Sequence, residues 1–243
     1  MTILIKPIFI IALFLSASYA FAGAKVEMIN DSVPNNWILV YYALGDNNQD
    51  GQEDAIMVIE NTDKRYLSRN RRVGPTILNM NPRKMLILFQ TPTGYQEVLN
   101  VTNGFPTQHS MEKPCLADTL VEAGEINIMD CIVKVILNYQ LNCSGYETTQ
   151  HRFSFRYENE RFRLTGFDKR ALERISGNAT EEHFDYLLGQ QPIVTGINIY
   201  EQHKKTTRLE KLLINKVLYL DEMSLACEPH QQARCHSVMT ATQ

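Results

Sequence analysis

The chain has 243 residues, with 24 Lys and Arg against 27 Asp and Glu, and a formal net charge of −3. That mild acidity leaves no basic footprint for nucleic acid, and no apolar run is long enough to span a bilayer. The chain is long enough to bury one sizeable core without metal or disulfide staples.

The first residues read as a targeting segment. Lys6 closes a short charged region, Ile8 to Leu15 are apolar, and Ala20-Phe21-Ala22 is a small-residue cleavage signal. Residues 1–22 are therefore expected to be a signal peptide and the protein to be exported to the periplasm or beyond. Losing Lys6 with that leader takes the charge from −3 to −4. No Cys stands at the cleavage point, which argues against a lipid anchor.

From there the pattern predicts strands. Residues 37–44 and 55–60 alternate around an acidic loop, Asp46-Asn47-Asn48-Gln49-Asp50-Gly51-Gln52-Glu53-Asp54. Residues 61–83 have no clear period and are rich in base, and Gly74-Pro75 and Asn81-Pro82 break them into loops. Lys84 to Phe89 is a continuous apolar strand, expected to be central and covered on both faces. Thr91-Pro92-Thr93-Gly94 turns it into a hairpin with 95–101. Residues 102–124 read as irregular, and 125–129 and 131–139 as strands. Cys131 then falls on the face of Val133, Val135 and Leu137, as a core thiol. Phe153, Phe155 and Tyr157 alternate with arginines, turn at Glu158-Asn159-Glu160, and return through Phe162 and Leu164.

Beyond that hairpin, 168–175 has the composition of a short helix, 183–200 is strand-like, and 209–220 suits helix or strand equally. The sum is a mainly β, antiparallel, single domain over 23–225, followed by a polar Cys-containing tail, 226–243, expected to be loosely held. No repeat period is present.

Five cysteines in an exported chain suggest bridges, and several connectivities are open. The expected pairs are Cys115–Cys143 and Cys227–Cys235, worth roughly 3.6 and 2.6 kcal/mol in loop-closure entropy. Cys227, His230, Cys235 and His236 also read as zinc-ligand types. An oxidising compartment and the adjacency of Cys235 and His236 favour the bridge.

The acidic loop carries the clearest chemistry. Asp46, Asn48, Asp50 and Asp54 stand at positions 1, 3, 5 and 9, and the Gln52 carbonyl at position 7. Gly51 sits at position 6, where a tight cation loop must turn with φ > 0. Oxygen-only ligands suit a hard cation, and calcium is the expected cofactor. Position 12 is Met57 where an EF-hand needs a bidentate Glu, and strands flank the loop. It resembles instead the D-x-[DN]-x-D-G-x-x-D loops of FG-GAP and VCBS-type repeats, which implies calcium held between two strands. A solvated acidic loop without an ion is the plainer alternative.

Residues 37–190 also resemble a group of Gram-negative envelope proteins. The shared marks are Asn81-Pro82-Arg83, Pro114-Cys115-Leu116, and Phe155-Arg156-Tyr157 leading to Phe162, Leu164 and Gly166-Phe167-Asp168. That likeness implies location and fold type rather than activity.

Two basic groups are candidate binding surfaces. Arg65, Arg69, Arg71 and Arg72 lie in a long irregular segment, the better place for a partner site. Arg152, Arg156, Arg161 and Arg163 form a stripe that Glu147, Glu158 and Glu160 could balance. No G-x-S-x-G, H-E-x-x-H or spaced Ser-His-Asp set is present, and His109, His151, His183, His203, His230 and His236 are scattered. The expectation is a non-enzymatic protein that binds another envelope component, such as an inhibitor or immunity protein against an envelope-directed toxin. A calcium-stabilised hydrolase of cell-wall or surface glycan, and a purely structural envelope protein, are the competing classes.

Overall fold

The computed structural model describes residues 29–232 apart from 103, 123, 144, 203 and 215. The expected signal peptide, and Cys235 and His236, lie outside the described residues. The fold is mainly β and antiparallel.

Strands β1 (Trp37–Gly45), β2 (Asp54–Asn61), β5 (Arg83–Thr91) and β6 (Gly94–Val101) form a four-stranded sheet in the order β1-β2-β5-β6. Between its two middle strands, β3 (Leu67–Arg69) and β4 (Ile77–Asn79) make a separate two-stranded hairpin. A seven-stranded meander follows: β7 (Glu125–Met129), β8 (Ile132–Gln140), β9 (Glu147–Glu158), β10 (Arg161–Glu173), β11 (Asn178–Asp185), β12 (Gln190–Asn198) and β13 (Thr206–Lys211), each paired with the next.

The two sheets face one another across the main core. Ile56, Val58, Met85 and Ile87 from the small sheet meet Val133, Val135, Phe153, Phe155, Phe162 and Phe167 from the large one. The other face of the small sheet is covered as well, with Ala55, Met57, Ile59, Leu86 and Leu88 packed under Ile29 and Trp37. That double cover is why β2 and β5 read as unbroken apolar runs. At one corner β1 runs against β7. A Cβ added at Gly45 would fall 2.7 Å from that of Ile128, so only glycine lets these strands approach.

Three local expectations change. The helix expected at 168–175 is the second half of β10, paired through Glu173 to β9 and through Leu172 to β11. The stretch is locally suited to helix, but two flanking ladders satisfy its backbone and decide the outcome. Cys131 is not on the core face of β8. It shares with Asp130 the two-residue turn before that strand, at φ 58 and 53, and is a partly exposed free thiol. The tail, expected loose from 226, is held through Gln232, because Cys227, Pro229 and Gln232 are buried just after Leu220, Met223 and Leu225 enter the main core. Gln232 is buried and bridges Ser224 and Cys227, donating 2.8 and 3.1 Å bonds to their carbonyls.

Candidate functional site

The acidic loop joins β1 to β2 and folds on Asx-type bonds. Asp46 accepts from the backbone N–H of Asn48, Gln49 and Gly51 at 3.2, 2.7 and 2.9 Å. Asn48 Oδ1 accepts from Asp50 N at 3.0 Å, and Asp50 Oδ1 from Gln52 N at 2.7 Å. Gly51 sits at φ 81 with no heavy atom within 4 Å of a built Cβ, so conformation alone demands glycine there. Asp54 is fully buried at the start of β2 and accepts from Asn47 N and Gln90 N at 2.9 and 3.0 Å. Its carboxyl is held above the ordinary value, chiefly by burial and further by the charges of Asp50 and Asp46.

Asp46, Asn48, Asp50, Asp54 and the Gln52 carbonyl thus share one small loop, and no Lys or Arg of the described residues pairs with the three carboxylates. The donor chemistry fits a hard cation, since all the groups are oxygens. Asp46 Oδ1 already accepts two backbone bonds, while Asp46 Oδ2, both Asp50 oxygens and both Asp54 oxygens each accept one bond. Among the described residues no three His, Cys, Asp or Glu side chains are gathered closely enough to enclose an ion.

The basic segment 61–83 has structure of its own. Asp63 caps a short 3-10 turn and holds Arg65 at 2.6 Å, and β3 and β4 then form the projecting hairpin. Its tip is seated on residues 111–115: Arg72 Nη1 donates to Met111 O at 3.2 Å, and Val73 O lies 3.2 Å from Cys115 Sγ. Cys115 is bonded to Cys143, as expected. Arg65, Arg69, Arg71 and Arg72 are all exposed. Arg69, Arg71 and Arg72 have no carboxylate partner among the described residues. Tyr66, Leu67, Val73 and Ile77 are exposed alongside them, Val73 by 73%.

The stripe on β9 and β10 is compensated instead. Arg156 and Arg163 both reach Glu158, at 3.5 and 3.3 Å, while Arg152 reaches Asp168 at 3.4 Å. Arg161 lies over the Tyr219 ring at 3.8 Å and bonds Asp221 and Glu222 at 2.6 and 2.8 Å. Asp168 also meets His183 Nδ1 at 2.9 Å.

Two clusters have no signature in the sequence. Arg83, 3% exposed, bonds Glu60 through Nε at 2.8 Å and Asp118 through both Nη atoms at 2.9 and 2.5 Å. Glu60 also accepts from Asn79 Nδ2 at 2.7 Å, and Asp118 from the N–H of Leu120 and Val121. Burial opposes ionisation of Asp118, but the bonds and charge of Arg83 outweigh it and hold the carboxyl below its ordinary value. The Arg83 of Asn81-Pro82-Arg83 thus meets Asp118, just past Pro114-Cys115-Leu116 in the chain, at a buried junction that ties β2, β5 and the base of the hairpin to the segment after the disulfide loop.

The second cluster surrounds Glu228, which the tail lays over the inner face of the large sheet. Lys169 Nζ is 2.9 Å from its carboxylate, His230 Nε2 3.1 Å and His151 Nε2 3.6 Å. Burial pushes the His151 imidazole down to about 4. Burial also raises the Tyr139 and Tyr186 phenols, with the Glu228 charge adding to the effect. These groups are distant in sequence, and no spacing rule could have joined them. Cys227 beside them is already disulfide-bonded, which removes its thiolate from the zinc-ligand types, and His230 stacks on Phe184.

No family model, curated protein or solved structure matches the chain.

Proposed function

We propose that the protein is an exported, non-enzymatic binding protein that presents the β3–β4 hairpin to an acidic component of the cell envelope. The observation that carries this reading is the set of exposed arginines, Arg69, Arg71 and Arg72, without carboxylate partners and beside exposed Tyr66, Leu67, Val73 and Ile77. Arginine and aromatic side chains around an apolar centre are what protein interfaces concentrate. The hairpin is anchored at its tip on the disulfide loop and at its base on Glu60 through Asn79. A partner therefore does not bear the cost of ordering it. An envelope-directed toxin with an acidic face, held inactive by this protein, fits the expected export and the bridged fold.

Calcium bound by Asp46, Asn48, Asp50, Asp54 and the Gln52 carbonyl would fix the turn between β1 and β2. It would also neutralise the repulsion that burdens Asp54, and it has no chemical step to perform. With Kd on the order of 10⁻⁴ to 10⁻³ M, tenfold saturation adds about 1.4 kcal/mol. That corresponds to a rise of about 3–6 °C in melting temperature against a chelator. Asp50→Ala abolishes the rise, and a melt indifferent to calcium in both proteins removes this part of the reading.

The binding role is tested by affinity purification from periplasm with the wild type and with Arg69→Glu/Arg71→Glu. One stable partner captured by the wild type and lost by the double variant is the expected result. Equal capture by both moves the site elsewhere. Turnover of purified peptidoglycan would favour the hydrolase.

A further inference from the structure

Strand β13 closes one end of the seven-stranded sheet, and no described strand pairs with its outer side. Its phase relative to β12 is read from a proline and from one backbone bond. Pro192 stands opposite Leu209 and has no N–H to give. A pair of that kind suits a position where antiparallel neighbours do not exchange backbone bonds. Leu212 N–H donating to Gly189 O at 3.0 Å, three residues further along in the same register, makes 212 a bonded position and 209 an unbonded one. The N–H and C=O of Thr207, Leu209 and Lys211 accordingly point outward, as an open row of donors and acceptors.

The side chains around that row are unlike a protected edge. Leu209 is 61% exposed and Leu188, beside it, 70%; together with Gly189, Gln190, Glu210 and Lys211 they line an open hollow of about 400 Å³. Arg208 and Glu210 share the opposite face, 2.7 Å apart.

We infer that β13 is a self-association edge, and that a second copy of this chain adds its own β13 antiparallel to it about a two-fold axis through Leu209. The charges choose that register. Only residues with outward backbone groups can exchange bonds, so the candidates place Leu209 opposite Thr207, Leu209 or Lys211 of the other copy. The first sets Arg208 against Arg208 and the third sets Glu210 against Glu210, like charges directly opposite. The symmetric register sets Arg208 against Glu210 twice and Leu209 against Leu209, with Thr207 opposite Lys211. An isologous contact of this kind closes after two copies, joining two seven-stranded sheets into one.

Sedimentation of the full chain over a concentration series tests this. The wild type is expected to pass from monomer to dimer. R208E and E210R each oppose like charges across the axis and weaken dimerisation about tenfold. An equimolar mixture of R208E and E210R restores a dimer, because each strand then complements the other. Leu209→Pro deletes an outward N–H that the β12 ladder does not use and abolishes association while leaving the melt unchanged. A wild type that stays monomeric, or a dimer equally strong in R208E and E210R, overturns the proposal.

Discussion

The two arginine-rich stretches, 65–83 and 152–163, carry similar charge and meet opposite fates. On β9 and β10 the regular ladder places carboxylates within reach: Glu158 serves Arg156 and Arg163, and Asp168 serves Arg152. In the β3–β4 hairpin there is no neighbouring strand beyond the pair, and Arg69, Arg71 and Arg72 are left facing solvent. Arg83, at the end of the same basic stretch, is drawn fully inside between two carboxylates. Charge density in a sequence thus says little about role. What matters is whether the topology supplies a counter-charge, and whether water is excluded there.

The sharpest way to break the comparison is at Arg83. Arg83→Met leaves Glu60 and Asp118 buried without their cation and is expected to cost about 3–5 kcal/mol, read from urea unfolding. The contribution of Asp118, whose folded value is depressed, is present above its unfolded 3.8 and lost as pH falls through the lower folded value. The wild type should therefore show an acid limb there that the variant lacks.

The next effect belongs to His151, a buried group beside a carboxylate that still stays neutral. The unfolded chain takes up a proton below 6.5, while the folded form resists until about 4. Stability therefore falls as pH drops from 6.5 to 4, by roughly 3 kcal/mol. His151→Phe, set among Tyr139 and Phe167, flattens that limb; a urea midpoint with the same pH slope in both proteins would contradict the burial argument.

Smaller effects separate the two surfaces. Arg156→Ala and Arg163→Ala each remove one half-exposed pair with Glu158 and should cost less than about 1 kcal/mol, and less still in high salt. In the hairpin, Arg69→Ala and Arg71→Ala should leave the melting temperature unchanged while weakening capture of an acidic partner. A stripe variant that lost the partner while the hairpin variants kept it would reverse the assignment.

Much of the architecture is legible in the sequence. The strands expected at 37–44 and 55–60, the alternation in 153–164, the unbroken run at 84–89 and the turn at Asn159-Glu160 all reappear in the ladders, although 55–59 is buried on both faces rather than alternating. Gly51 takes the left-handed φ that its place in the loop demanded. The pair Cys115–Cys143 formed as read. These are local properties: a two-residue period, a turn residue, a backbone angle.

What the sequence could not express were meetings between distant residues. Residues 168–173 have helix-like composition, and only β9 and β11 on either side make them strand. The Glu60–Arg83–Asp118 junction joins three separate segments, and the groups around Glu228 come from strands and tail alike. The tail itself reads as polar, yet Cys227, Pro229 and Gln232 are buried, its start carried in by Leu220, Met223 and Leu225 just before it. Sequence by itself determined a mainly β chain, several of its strands and the bent acidic loop, because each depends on neighbours along the backbone. Tertiary structure alone decided which charges are buried, which are balanced and which are offered to a partner, because a counter-charge and the exclusion of water both come from elements far away in the chain.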